Sequence, residues 1–127
     1  MSDLRPEGVK VELGGQERKL LFTINAVEQI QDKCNLPLYD AMQYVANAVG
    51  GNTDKETVHN FKMIVMVLLN DENDGNFTEK EVGEMLHMGN YRKVARTVME
   101  AFGLHIPDPD EDTEEDEDED PKVETGQ

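Results

Sequence analysis

Residues 70 to 81 read NDENDGNFTEKE, with glycine sixth, an apolar residue eighth and glutamate twelfth. That spacing outlines a calcium-binding EF-hand loop, in which side-chain and backbone oxygens wrap one ion. The ligand positions fall on Asn70, Glu72, Asp74 and Glu81. The match is poorest where charge matters most. The first position, where a carboxylate anchors the ion, is the neutral Asn70, and Glu72 brings an extra methylene into a tight ring. Phe77 and Glu81 do fit. Turn chemistry accounts for the same stretch: NDENDGN is dense in turn formers, and Thr78 and Glu81 stand three apart, the spacing of a capping box. The chain has no second such loop. The expectation is a connector with no metal and no cofactor, and a weak calcium-binding EF-hand-like protein ranks third among the readings.

Arg92, Lys93 and Arg96 form a second set. They lie on the later helix of the stretch TEKEVGEMLHMGNYRKVARTVMEAF, which reads as helix, short turn, helix. Such a unit can set cations against DNA phosphates, so a helix-turn-helix DNA-binding regulator is the runner-up. Charge argues against it. The chain carries −16 overall, with twelve acidic residues and one lysine from Asp108 to Gln127, which leaves −5 for the first 107 residues. Nucleic-acid binders concentrate positive charge, so a nucleic-acid partner is disfavoured.

Other chemistry is sparse. His59, His87 and His105 have no metal-type spacing. Cys34 is the single cysteine; it excludes an internal disulfide and reads as a buried structural thiol in a reducing compartment. No carboxylate pair is marked for acid–base work, so the expectation is a binding module, not an enzyme. The N-terminal MSDLRPEGVKVEL has no basic region leading into an apolar run, and the longest apolar run, Met63 to Leu69, is far below a membrane span.

The elements that must position these residues follow from periodicity. VKVEL alternates apolar and polar, and with RKLLFTI across a Gly-Gly turn it predicts a β-hairpin. INAVEQIQDKC predicts a helix capped by Thr23 or Asn25, with Ile24, Val27 and Ile30 on one side, broken at Pro37. LYDAMQYVANAV places Leu38, Ala41, Met42, Val45, Ala48 and Val49 at helical spacing. TDKETVHNFKMIVMVLLN opens with a capping box, Thr53 with Glu56, and its second half is apolar all round, which predicts a central covered helix. Thr78 with Glu81 opens a fourth helix with Val82, Met85 and Leu86 on one face and Gly89 as its end. The fifth carries Tyr91, Val94, Ala95, Val98, Met99 and Phe102 on one stripe, with Asn90 as cap and Gly103 as stop. Beyond it, DPDEDTEEDEDEDPKVETGQ has one apolar residue, Val123, too little to offset the entropy of ordering. The expected fold is therefore α+β and mainly α. An N-terminal β-hairpin packs on a bundle of about five helices in residues 1–106, and a disordered acidic C-terminal tail occupies 107–127.

Three stretches carry a likeness to a known family. They are VELGGQERKLLFTINAVEQIQDKCN, with its Gly-Gly turn and the start of an "INA" helix; FTEKEVGEMLHMGNYRKVARTVMEAFG, a threonine-capped helix before a final amphipathic one; and the acidic C-terminus. In these the chain resembles the tail assembly chaperones of long-tailed bacteriophages and prophages. The resemblance implies a non-catalytic protein of the bacterial host cytoplasm, absent from the mature virion. Such a protein binds the tape-measure protein, and in some relatives tail tube subunits, during tail assembly. Many members are made in two lengths by a ribosomal frameshift, and this chain would be the shorter. Seven methionines suit the task, since the thioether repacks against varied apolar partners. Met85, Met88, Arg92 and Arg96 are the candidate partner-binding residues, and self-association is compatible with the pattern. The acidic tail would solubilise a client-bound complex, lure a basic partner, or shield the domain's own cations.

Overall fold

The computed structural model describes residues 8–72 and 75–105. The acidic tail expected at 107–127, and with it the boundary at 106, lies outside them. Within them the architecture is an antiparallel hairpin followed by five helices in one hydrophobic core, the mainly α, α+β fold that the periodicity predicts.

Strands β1 (Val9–Leu13) and β2 (Gln16–Leu20) pair in antiparallel register, with Leu13 opposite Gln16. Gly14 and Gly15 make the two-residue turn at φ of 62° and 79°. Two consecutive positive φ values define the type I′ geometry that matches strand twist, and glycine adopts them without steric cost. β2 starts and ends earlier than its apolar run suggested. Leu21 and Phe22 leave the ladder and run into the core instead.

Helix α1 (Ile24–Cys34) is capped by Thr23, whose hydroxyl oxygen accepts the Ala26 N–H at 3.0 Å. Its buried face is Ala26 and Ile30, whereas Ile24, expected inside, is 81 % exposed. Ile24 sits two residues before Ala26, about 200° around the helix, and so points away from the core. Asn35 closes α1 in the left-handed conformation, φ 57°, and Pro37 begins α2 (Leu38–Val49). The α2 limits and its buried set Ala41, Met42, Val45 and Ala48 follow the sequence pattern.

Helix α3 (Lys55–Glu72) is the hub. Every residue from Met63 to Leu69 is buried, and the helix packs against α1, α2, α4 (Glu79–Met85) and β2. At about 1.5–3 kcal/mol for each large aliphatic side chain fully buried, this one segment is a major source of stability. Its expected Thr53–Glu56 capping box is not how it begins. The Asp54 carbonyl accepts the first intrahelical bond from Val58 at 2.9 Å, so Asp54 holds the cap position. Glu56 instead hydrogen-bonds the Tyr44 hydroxyl of α2, which raises that phenol's pKa.

The Thr78–Glu81 box does form, with Glu81 N–H to Thr78 Oγ1 at 3.1 Å and Thr78 N–H to Glu81 Oε1 at 2.8 Å. Yet α4 stops at Met85, because Leu86 turns extended, well before Gly89. Helix α5 (Tyr91–His105) buries Tyr91, Val94, Ala95, Val98 and Ala101 against α2 and β1, and continues through Gly103 without ending there.

Two helices take complementary end charges from elsewhere. No acid lies in the first turn of α1, and Asp71 near the end of α3 accepts the Thr23 hydroxyl at 2.7 Å. No base lies in the last turn of α2, and Arg92 of α5 donates from Nε to the Val49 carbonyl at 3.1 Å. Both contacts place a charge of the sign that the helix dipole favours.

Candidate functional site

The calcium-like loop resolves into packing. Asn70, its first ligand position, clamps Phe77 from both sides: Oδ1 accepts the Phe77 N–H at 2.7 Å, and Nδ2 donates to the Phe77 carbonyl at 3.1 Å. The Arg18 guanidinium lies over the Phe77 ring, 4.9 Å from its centroid, a cation–π contact that ties the loop to the hairpin. Gly75 is small for the same reason, since a Cβ there would meet Phe77 Cε2 at 2.7 Å. Glu81 is engaged by Thr78. Glu72 still belongs to α3, and Asp74 lies outside the described residues. Asn, Gly, Phe and Glu, the residues that outline the motif, thus each have a structural task. Among the described residues no group of three His, Cys, Asp or Glu could hold a metal ion.

Arg92, Lys93 and Arg96 are all exposed on α5 and have different neighbours. Arg92 caps α2. Lys93 lines a different hollow with Lys10, beside Glu12 and Glu17 of the hairpin. Arg96 is exposed. Cys34 donates weakly to the Asn60 carbonyl at 3.9 Å, and burial pushes its thiol up to about 11. That value leaves almost no thiolate at neutral pH.

The corner between α4 and α5 is built differently from the rest. Asn90, expected as a helix cap, uses its side chain on the turn: Oδ1 accepts the His87 N–H at 2.8 Å, and Nδ2 donates to the Met85 carbonyl at 3.0 Å. His87 Nδ1 accepts the Gly89 N–H at 3.1 Å, which leaves Nε2 to carry the proton of the neutral ring. On this tied corner Met88 is 78 % exposed. An exposed thioether on an ordered turn loses little backbone entropy when it meets a partner.

Beside Met88 runs a groove of about 460 Å³ between α3, α4 and the corner. Its walls are Val58 and Phe61 of α3, Gly83 of α4, Leu86 after it, and Tyr91 of α5. Phe61 and Tyr91 meet edge-on at 5.3 Å, and the Tyr91 hydroxyl donates to the Asn52 carbonyl at 2.6 Å, which fixes that wall. Burial, then the nearby Asp54 charge, raises the Tyr91 pKa. A second hollow of about 360 Å³ shares Thr53, Val58 and Lys62 with the groove and adds Lys55 and His59. The size and the mostly apolar lining are those of a binding cleft.

Of the four candidate partner-binding residues, the structure brings only Met88 to this groove. Met85 lies under the hairpin turn, where a Cβ on Gly14 would come within 3.4 Å of it, and Arg92 and Arg96 line neither hollow. Sequence reasoning missed Val58, Phe61, Lys62 and Gly83. A signal existed in Gly83, a glycine inside a short helix. No helix among the described residues is long and apolar enough to cross a membrane. No family model, curated protein or solved structure matches the chain.

Proposed function

We propose that the protein is a phage tail assembly chaperone. It holds the tape-measure protein by non-covalent contact in the bacterial host cytoplasm, keeps it soluble while the tail tube is built, and does not enter the mature virion. Tail tube subunits are a further partner on the same reading. The observation that carries the proposal is the apolar groove ending at Met88. A long helical client presents apolar side chains along its faces, and a helix-in-groove contact takes such side chains a few at a time. The resemblance in the hairpin and the last two helices supports the same reading, and a C-terminal segment of net charge −11 would disperse the loaded complex. The test is co-expression with a tape-measure protein. The client should move into the soluble fraction and co-purify with this chain; a client equally insoluble with and without it ends the proposal.

A further inference from the structure

The residues that line the groove and its extension include Lys55, Lys62, His59 and His87 and no Asp or Glu. This stands out in a chain of net charge −16. Glu79 lines neither hollow, although its carboxylate pairs with Lys62 at 3.1 Å and lies 3.7 Å from His59. Lys55 makes no ion pair among the described residues. Gly83 adds a second feature. It leaves the α4 wall bare, and a Cβ there would point into ordinary contact with Lys62 Cδ at 3.5 Å. A glycine at this place in α4 weakens the helix but lets another backbone or a bulky side chain approach.

We infer that the groove between α3, α4 and the α4–α5 corner docks an amphipathic helix whose apolar side chains are flanked by carboxylates. This deepens the chaperone proposal and rests on it for the identity of the client. The apolar side chains fill the space over Phe61 and Gly83, Met88 folds against them, and the flanking carboxylates meet Lys55 and Lys62. The chain's own residues 108–127 match the charge but not the floor, since their single apolar residue is Val123.

The experiment uses the full chain and two fluorescent helical peptides of about 14 residues, roughly four turns. They share one leucine face and differ only in acidic or basic flanks. Net charge alone predicts that this acidic protein prefers the basic peptide. The inference predicts the opposite at the groove: at physiological salt the acidic peptide binds at least about tenfold tighter, a difference of about 1.4 kcal/mol. Gly83→Leu should abolish that binding. Gly83→Ala should weaken it while raising the thermal midpoint, so lost binding cannot be ascribed to lost folding. Met88→Glu should weaken it and Met88→Lys strengthen it.

Tighter binding of the basic peptide, or acidic-peptide binding untouched by Gly83→Leu, overturns the inference. So does displacement of the acidic peptide by an equimolar peptide of residues 106–127, which makes the chain's own tail the occupant. A dimer of the wild type that becomes monomeric in Gly83→Leu makes the groove a self-interface and overturns it equally. Peptide binding is read without any client, so it separates the two ideas. Intact peptide selectivity with an insoluble client sinks the chaperone reading alone, and a client kept soluble by Gly83→Leu sinks the groove alone.

Discussion

The second half of α3 and the α4–α5 corner are built on opposite terms. From Met63 to Leu69 every side chain is buried, and the helix is packed on several sides. The corner follows a seven-residue helix with one buried residue, Val82; Thr78 and Glu81 cap the start of that helix, and polar contacts of Asn90 and His87 hold the corner. The methionines divide the same way. Met42, Met63 and Met66 are buried, Met85 and Met99 are half-buried, and Met88 is exposed. Stability therefore resides in one region, and adaptable surface is displayed by the other. A hydrogen-bonded corner keeps its shape with little core of its own, which leaves its apolar atoms free for a partner.

Substitutions should separate the two regions. The largest effect is expected in α3, where Leu68→Ala should cost about 2–5 kcal/mol in urea unfolding through lost burial and a residual cavity. A loss below about 1 kcal/mol would mean that α3 is not the hub. At the start of α4, Thr78→Ala should cost about 1 kcal/mol as a lost cap, with faster amide exchange in α4 and little change in α3. Uniform acceleration in both helices would erase the distinction. Tyr91→Phe should cost about 0.5–1.5 kcal/mol through the orphaned Asn52 carbonyl.

Tyr91 also sets an alkaline limit. Its pKa is raised by burial and by Asp54 above the ordinary 10.0, so as pH climbs past that value the unfolded chain loses its proton first. Its contribution is complete below the ordinary tyrosine pKa and falls as pH rises through the folded one, with Tyr44 acting in the same sense. The alkaline decline in urea midpoint should be shallower in Tyr91→Phe. Smaller and opposite in sign, Gly83→Ala should stabilise the protein by about 0.5–1 kcal/mol. Millimolar calcium should leave the urea midpoint unchanged and give no calorimetric heat of binding, because Asn70 and Glu81 are engaged within the loop. A midpoint that rises with calcium and falls back in Glu81→Gln would restore the EF-hand reading.

Local signals in the sequence carried most of the fold. Gly14-Gly15, the α2 periodicity and the Thr78–Glu81 spacing each act within a few residues, and each appears in the structure as expected. The same capping pattern at Thr53 and Glu56 did not set the start of α3: Asp54 holds the cap position, one residue later, and Glu56 bonds the Tyr44 hydroxyl. Gly103 did not stop α5 and Ile24 did not turn inward, since a favourable residue type permits an outcome without enforcing it. The groove was illegible for a stronger reason. It joins Val58 and Phe61 to Gly83, Met88 and Tyr91, and nothing in the local pattern of either segment reports that they meet. Phe77 shows the converse: the ring that the local pattern placed at the eighth position of a loop packs under Arg18, far off in sequence.

The division of labour is tested most directly by amide exchange on the full chain, with and without a soluble amphipathic segment of a tape-measure protein. Added protection should concentrate at Gly83 to Tyr91 and the first half of α3, and the slow exchange of Met63 to Leu69 should hardly change. Protection spread over α1 and the hairpin instead, with none at the corner, would contradict the account.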